Sequence, residues 1–289
     1  MKGIILAGGS GTRLYPITQG ISKHLIPIYD KPMIYYPLSV LMLAGIREVL
    51  IITNPEFMPH YKSLLGDGSK LGMTFEFIIQ KEAKGIADAF IIGEEFIADD
   101  HVCLVLGDNF FYGQGFQVKL IEATKLENGS IIFGYSNPNL EESGVVEFDE
   151  DNNVLSLEEK PTHSKSSYAI PGLYFYDNSV IAKAKSITRS KRGEFEITDI
   201  NHKYLEEDTL KVELLNKEFT WLDMGDYDRL LKTSNYVQTM QKRTGFYIGC
   251  IEEIAYNNKW ITKDELIDLG KKYEKTDYGK YLLHIAKGV

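Results

Sequence analysis

The sequence contains only two cysteines, Cys103 and Cys250, which lie far apart in the chain. They form neither a disulfide framework nor a Cys-x-x-Cys metal or redox motif, so we expect a reducing compartment. The six histidines include no His-x-x-x-His pair, and a zinc site is therefore not expected. Disulfide and zinc chemistry are thus disfavoured as organising features of this protein.

Long apolar runs and an excess of positive charge are also absent. No stretch reaches the ~20 apolar residues that a membrane-spanning helix needs. The first residues lack the apolar core and cleavage site of a signal peptide. The net charge is −9, which disfavours nucleic acid and anionic membranes as partners. We therefore expect a cytoplasmic protein that would hold any anionic ligand in a local cationic pocket.

Strand-like and helix-like segments alternate through the first half of the chain, which predicts an α/β fold. Strands are expected over 3–7, 49–53, 73–79 and 102–106, and helices over 31–44 and 83–97. Short apolar strands between helices are typical of a mostly parallel central sheet that is covered on both faces. Ligands of such sheets bind outside the carboxyl ends of the strands.

The middle and the end of the chain have a different pattern. A polar cluster at 149–153 separates two strand-like runs and predicts a β-hairpin. A further strand is expected over 168–176, and helices over 196–207 and 226–242. The tail includes Thr262-Lys263-Asp264-Glu265, which predicts a helix capping box. We therefore predict one catalytic domain followed by a small helical extension.

A glycine-rich loop, Leu6-Ala7-Gly8-Gly9-Ser10-Gly11-Thr12-Arg13, directly follows the first predicted strand. Glycines let the backbone turn tightly and expose its N–H groups to an anion. Arg13 and, ten residues later, Lys23 add cationic donors. The loop lacks the Gly-Lys-Ser/Thr ending of a P-loop, and Leu14 replaces the third small residue of the dinucleotide motif. A plain tight turn explains the glycines alone, but the added cations favour a polyphosphate site.

Two carboxylates are candidates for holding a metal ion. Asp108 follows the strand over 102–106, and Asp223 lies between bulky apolar residues and a glycine. Magnesium usually binds through one or two carboxylates together with substrate phosphates. Asp108 can instead cap a helix, and Asp226 is best explained as the cap of the following helix. The pair Asp108 and Asp223 therefore predicts a magnesium–nucleotide site.

Other polar residues at strand ends are suited to a sugar and a base. Strand alternation places Glu158 and Glu159 on opposite faces, so only one can face the crevice. A carboxylate there could accept hydroxyl groups, and Lys160 could meet a phosphate, although an acid–base pair is more often a surface pair. Gln80 offers a donor and an acceptor to a pyrimidine, and Gly85 would permit close backbone approach.

These residues together resemble the sugar-nucleotide pyrophosphorylases. The matching motifs are 8–13, Lys23 with Leu25 and Pro27, 30–37, 43–46, 106–109, 144–148, 158–161, 193–194 with 196–199, and 221–223, with 252–256 and 259–261 near the end. The resemblance spans essentially the whole chain. The stretch 29–37 and the C-terminal part resemble, within that family, the longer type of enzyme found in bacteria.

The resemblance implies a Rossmann-like nucleotidyltransferase fold and an activity. The implied reaction converts dTTP and glucose 1-phosphate into dTDP-glucose and pyrophosphate with Mg²⁺, as the first step towards dTDP-sugars. Residues 1–245 would form the catalytic domain, with a nucleotide-binding part over 1–110 and a sugar-phosphate part over 111–225. Residues 246–289 would form the helical extension. Family members are commonly homotetramers that are inhibited by a dTDP-sugar.

The resemblance also implies a role for each candidate residue. Arg13 and Lys23 would act on the reacting phosphates. The nucleotide would be bound by Leu6, Gly8, Gly9, Ser10, Gly11, Thr12, Arg13, Gln80, Gly85 and Asp108, the sugar phosphate by Gly144, Glu159, Lys160 and Ile170, and the metal by Asp108 and Asp223. The chain departs from the family at Asp88, usually a glutamine, at 170–172 and at Asn257.

Alternatives to this interpretation stay open from the sequence alone. A related enzyme could use UTP, because thymine differs from uracil by one methyl group, worth roughly 1–3 kcal/mol. A non-catalytic nucleotide sensor could share the fold, although it would not need Lys23, Asp108 and Asp223 together. An NAD-dependent enzyme is disfavoured by Leu14 and Arg13 in the loop.

Overall fold

The computed structural model describes residues 1–288, and its strands and helices give a mixed α/β architecture. The strands are β1 (Lys2–Ala7), β2 (Pro27–Ile28), β3 (Lys31–Pro32), β4 (Glu48–Thr53), β5 (Thr74–Ile79), β6 (Val102–Leu106), β7 (Asn109–Tyr112), β8 (Ser130–Ser136), β9 (Gly144–Phe148), β10 (Val154–Glu159), β11 (Tyr168–Ile170), β12 (Leu173–Tyr176), β13 (Leu210–Leu215) and β14 (Thr220–Asp223). The helices are α1 (Tyr35–Leu43), α2 (Met58–Leu65), α3 (Asp88–Ile92), α4 (Glu94–Ile97), α5 (Phe116–Ala123), α6 (Val180–Ser186), α7 (Ile197–Glu206), α8 (Tyr227–Thr244), α9 (Ile251–Asn257), α10 (Lys263–Lys272) and α11 (Asp277–Ala286).

The central sheet has a parallel core, as the sequence predicts. Its strand order is β10-β9-β11-β8-β12-β6-β1-β4-β5, with β13 also paired to β8. Strands β5, β4, β1 and β6 are parallel neighbours, and their apolar side chains are buried from both faces by helices. The first strands of the chain therefore end at one edge of the sheet.

The rest of the sheet is largely antiparallel and contains the predicted hairpin. Strands β9 and β10 pair in antiparallel register, and β9 joins the sheet through β11. The single strand expected over 168–176 is divided at Pro171-Gly172, because Pro171 has no N–H and the N–H of Gly172 is taken by Asn109 Oδ1 at 3.0 Å. The division lets β11 pair with β9 while β12 pairs with β6.

Two predicted helices are shorter in the structure. The helix expected over 31–44 begins at Tyr35, because Lys31-Pro32 pairs with Pro27-Ile28 as a small ribbon. Its end matches the prediction, since Gly45 has φ 82° and Ile46 N donates to Leu41 O at 3.0 Å. The helix expected over 83–97 is reduced to α3 and α4, which meet at Gly93.

The residues before α3 are not helical because they pack against a distant segment. Gly85 has φ 103°, a conformation that favours glycine. A Cβ at Gly85 would lie 2.4 Å from Phe195 O. Phe195 N donates to Lys84 O at 2.7 Å, and Ala87 N donates to Phe195 O. Contacts with residue 195 thus replace the first turns that the sequence predicts.

The C-terminal segment is helical, and a buried cation joins it to the preceding part. Thr262 and Glu265 form the predicted capping box of α10. Lys31 Nζ contacts Asp30 at 2.5 Å and lies 5.3–5.7 Å from three aromatic ring centres, those of Tyr36, Tyr247 and Tyr278. Tyr247 and Tyr278 belong to the segment after α8. Within residues 1–288, no helix is both long and apolar enough to span a membrane.

Candidate active site

The glycine-rich loop and Asp108 lie side by side at the carboxyl ends of β1 and β6. These strands are parallel neighbours with Leu6 opposite Leu106. Gly107 N donates to Leu6 O at 3.0 Å, so the turn after β6 is held against the end of β1. The shared crevice that the strand pattern predicts is therefore present in the structure.

The glycine-rich loop ends in a short 3-10 turn over Thr12–Leu14. Gly11, with φ 62°, adopts the left-handed conformation that starts this turn. Leu14 is buried and anchors the turn, whereas the side chain of Arg13 is 55% exposed. A Cβ at Gly9 would meet no atom within 4 Å. The loop therefore presents Arg13 and an open backbone face to the crevice.

Lys23 and Asp108 form a buried ion pair in this crevice. Lys23 lies in a 3-10 turn over Lys23–Leu25, and its side chain is only 7% exposed. Asp108 also accepts from Asn109 Nδ2 at 3.0 Å. Burial opposes ionisation of Asp108, but the Lys23 ammonium outweighs it and lowers the pKa of this carboxyl to about 2. Asp108 therefore stays negative throughout the physiological pH range.

Asp223 reaches the same point through a second small sheet. Strands β7 and β14 are antiparallel, with Asp223 opposite Asn109, and Met224 N donates to Asp108 O at 2.9 Å. Burial and the nearby charge of Asp108 raise the pKa of Asp223 to about 6. Asp223 Oδ2 contacts Arg229 at 3.1 Å, while Oδ1 is buried without a partner.

The two carboxylates fit the requirements of a magnesium ion. Oxygen ligands and neighbouring negative charges suit this hard cation, which usually binds through one or two carboxylates and substrate phosphates. The unpartnered Oδ1 of Asp223 and the charged Asp108 are oxygen donors of this kind. Clusters of three or more metal-ligating side chains do not occur among the described residues, so substrate oxygens would have to complete the coordination.

A cavity of about 180 Å³ gathers seven of the sixteen candidate residues from distant parts of the chain. Its lining includes Arg13, Asp108, Gly144, Glu159, Lys160, Ile170 and Asp223. Lys23 is not part of the lining, but it pairs with Asp108, which is. The other candidates also lie outside the lining, namely Leu6, Gly8, Gly9, Ser10, Gly11, Thr12, Gln80 and Gly85. Arg13, the two metal candidates and the four sugar-phosphate candidates thus line one cavity.

Glu159 is fixed in the cavity by two side chains. Arg192 Nη2 donates to Glu159 Oε1 at 3.1 Å, and Thr198 Oγ1 donates to Glu159 Oε2. A Cβ at Gly144 would lie 3.6 Å from Glu159 Oε2, so this glycine leaves room beside the carboxylate. Glu158 is exposed on the other face. The alternation expected from the sequence is confirmed.

Lys160 has an uncommon backbone conformation at the end of β10. Its φ is 46°, in the left-handed region that non-glycine residues rarely adopt. Lys160 N donates to Ser143 O at 3.1 Å, which holds this conformation and turns the chain out of the strand. The Lys160 ammonium lies 3.9 Å from Glu159. Residues in such conformations often occur at functional sites.

Gln80 directly follows β5, and Gly85 lies in the segment between β5 and α3. Gln80 is buried after β5, and a Cβ at Gly8 would lie 2.9 Å from its Oε1. Gln80 therefore lies directly beside the glycine-rich loop. The close approach at Gly85 is made by the backbone of Phe195.

Sequence reasoning missed four residues that organise the cavity. They are Glu142, Arg192, Thr198 and Arg229. Glu142 accepts from Arg13 at 3.0 Å and from Arg229 at 2.6 Å, and so bridges the loop after β1 to α8. Thr198 belongs to a matching motif and Arg192 directly precedes Gly193 of that motif, which was a usable signal. Glu142 and Arg229 carried no signal, because their contacts depend on the tertiary fold.

The neighbouring His24 is a second buried titratable group, and it gives a test of the site's stability. Burial lowers the pKa of His24 to about 4, below the ordinary value of 6.5. Between pH 6.5 and 4, His24 is therefore protonated in the unfolded chain but not in the folded one. The free energy of unfolding consequently decreases as the pH falls. Measured by urea unfolding, the free energy of unfolding of the wild type should fall by about 2 kcal/mol more between pH 7 and 5 than that of the His24→Gln variant. Equal losses would contradict this assignment.

A family model for nucleotidyl transferases matches residues 2–240 of this chain. The matched range contains every candidate site residue named above. It extends from the first strand to near the end of α8, and the segment after 240 lies outside it.

Curated proteins of similar sequence match almost the full length. The chain is 54% identical over 285 residues to glucose-1-phosphate thymidylyltransferase of Neisseria gonorrhoeae, with 99% of each chain covered. It is 50% identical to the protein of the same name from Mycolicibacterium smegmatis, again with 99% of each covered.

Solved structures of similar fold include a putative glucose-1-phosphate thymidylyltransferase from Bacillus anthracis. That structure has a TM-score of 0.76 and 38% identity, and the match covers 82% of this chain and 94% of that one. A UDP-glucose pyrophosphorylase in complex with UDP-glucose has a TM-score of 0.72 at 22% identity, covering 83% and 98%. The second likeness concerns the fold alone.

Proposed function

The chain belongs to the nucleotidyl transferase family of enzymes, and we propose that it transfers the thymidylyl group of dTTP to glucose 1-phosphate. The products would be dTDP-glucose and pyrophosphate. Relatives with 50–54% identity carry the corresponding name. The observation that most supports the proposal is the cavity in which Arg13, Asp108 and Asp223 face Glu159 and Lys160.

The arrangement suits a reaction in which the sugar phosphate itself is the nucleophile. A phosphate monoester has a second pKa of about 6 and is mostly dianionic at neutral pH. No general base is therefore needed. The main barrier is to bring two polyanions together in line, and orientation alone contributes up to about 7–11 kcal/mol. Glu159 would accept sugar hydroxyls, while Lys160 would hold the sugar phosphate.

Cationic side chains would offset the repulsion between the two substrates. Arg13, on the exposed end of the loop, would bind the nucleotide phosphates, and Lys23 would stabilise charge at the α-phosphoryl group. Asp108 and Asp223 would hold Mg²⁺, which when bound polarises phosphoryl oxygens and neutralises developing charge. Asn109 and Arg229 keep these carboxylates in place.

The proposal is tested by measuring pyrophosphate release with glucose 1-phosphate and each of the dNTPs and NTPs in turn. We expect turnover with dTTP that requires Mg²⁺ and the sugar phosphate. Preferred use of UTP would redirect the proposal to a uridylyltransferase. Tight nucleotide binding without pyrophosphate release would favour a non-catalytic sensor on the same fold.

Glu142 gives a prediction about nucleotide binding. Its carboxylate pairs with Arg13, so the phosphates must displace it. Because the pair is half exposed, the competition is weak, and we expect Glu142→Gln to lower the KM for dTTP by about two- to fivefold. The neighbouring exposed Glu141→Gln serves as the control. An unchanged or higher KM in Glu142→Gln would show that the carboxylate does not compete.

The assembly and regulation of the enzyme belong to the same proposal. A homotetramer in the cytoplasm, inhibited by a dTDP-sugar, is supported by the family resemblance. Size-exclusion chromatography with light scattering tests the homotetramer. An inhibition assay with dTDP-rhamnose tests the regulation.

A further inference from the structure

Gln80 is paired with a buried carboxylate. Gln80 Nε2 donates to Asp88 Oδ2 at 2.9 Å. Gln80 is 7% exposed and Asp88, the first residue of α3, is 6% exposed. A hydrogen bond to an ionised group that is shielded from water is stronger than a neutral one. This contact therefore controls the side chain of Gln80.

The contact fixes which end of the amide faces the nucleotide. A glutamine side chain ends in an acceptor oxygen and a donor nitrogen, and it can be turned over at little steric cost. An ionised carboxylate only accepts, so the nitrogen must face Asp88. The oxygen is then turned to the opposite side, where Oε1 lies beside Gly8 of the glycine-rich loop.

We propose that Asp88 is a positioning residue that sets base selectivity, because it makes Gln80 present an acceptor to the nucleobase. The inference rests on the proposed function, in which Gln80 reads the base. Thymine and uracil carry a hydrogen on N3 and can donate to this oxygen. Cytosine carries a lone pair on N3, so the two acceptors would repel each other and remain unsatisfied.

A purely structural role for Asp88 makes a different prediction. A negative charge in the first turn of a helix stabilises that helix modestly. Loss of such an effect would change stability, or would reduce activity with all nucleotides in the same proportion. The ratio of kcat/KM for a nucleotide whose base has N3–H over one whose base lacks it responds only to the orientation of Gln80.

The experiment compares dTTP and dCTP as substrates of the wild type and of Asp88→Asn. An asparagine has both a donor and an acceptor, so Gln80 can adopt either orientation. We expect the ratio of kcat/KM for dTTP over dCTP to fall at least about tenfold, mainly through KM. Asp99→Asn, the same change at an exposed nearby position, should leave the ratio unchanged.

The outcomes separate this inference from the proposed function. A wild type that releases pyrophosphate with no nucleotide contradicts the function itself. A wild type that prefers dTTP, together with an unchanged ratio in Asp88→Asn, overturns only the role of Asp88. Equal losses with both nucleotides also overturn it, because they indicate a structural effect.

A second measurement needs no substitution and covers the case in which Asp88→Asn does not fold. N3-methyl-dTTP lacks the hydrogen that would be donated to Gln80 Oε1. The wild type is expected to use it at least about tenfold less well than dTTP. Equal use of the two nucleotides would overturn the inference, because the acceptor would then not face N3.

Discussion

Replacing Lys23 with methionine is expected to lower kcat by about 10²–10³, the effect typical of losing one fixed group that stabilises transition-state charge. The ammonium is buried beside Asp108 at the point where the two polyanions would react. Methionine keeps much of the apolar stem and removes the charge. The measurement is pyrophosphate release at saturating dTTP and glucose 1-phosphate. A kcat within threefold of the wild type would contradict the catalytic role.

The same substitution is expected to destabilise the protein. Removing one partner of a fully buried ion pair typically costs about 3–5 kcal/mol. The cost here should be smaller, because Asp108 is 22% exposed and keeps its hydrogen bond from Asn109. The double variant Lys23→Met/Asp108→Asn removes both charges and should recover much of the lost stability without recovering activity. If stability and activity returned together, the loss in the single variant would be a folding effect.

Asp223→Asn is expected to weaken the binding of Mg²⁺. An amide keeps the shape of the side chain but removes the charge that sits beside Asp108. Turnover should then require at least about tenfold more Mg²⁺ than in the wild type. In thermal unfolding, Mg²⁺ should stabilise the variant less than it stabilises the wild type. Without metal, the variant should be as stable as the wild type or more so, because a buried charge has been removed.

The matched control for this prediction lies five residues along the chain. Asp228 is exposed in the first turn of α8, so Asp228→Asn makes the same chemical change outside the cavity. Its magnesium titration should follow that of the wild type. Identical titrations for Asp223→Asn and Asp228→Asn would remove Asp223 from the metal site.

Much of the crevice could be predicted because its signals are local in sequence. The glycine-rich loop and Asp108 each follow an apolar strand directly, and parallel strands end at a common edge. The proximity of Asp223 to Asp108 depends instead on the pairing of β14 with β7. The apolar neighbours of Asp223 marked it as unusual, but its position next to Asp108 could not be predicted from sequence spacing.

Two of the predictions that were wrong concern segments with tertiary hydrogen bonds. Residues 83–87 have helix-forming neighbours, but their backbone groups bind Phe195, more than one hundred positions away. Pro171 and Gly172 interrupt an apolar run at the point where Asn109 takes the N–H of Gly172. In the first place tertiary hydrogen bonds outweigh local propensity. In the second, a proline and a glycine that weaken a strand coincide with such a bond.

The buried Lys31 depends on contacts with the segment after α8. Burial lowers the pKa of its ammonium, and Asp30 opposes that shift. Two of the three aromatic rings around it, Tyr247 and Tyr278, come from the last 45 or so positions of the chain. A protein without this segment would keep the pair of Lys31 with Asp30 but would lose two of the three rings around the ammonium. The residue at position 31 and the segment after α8 are therefore expected to vary together among related proteins.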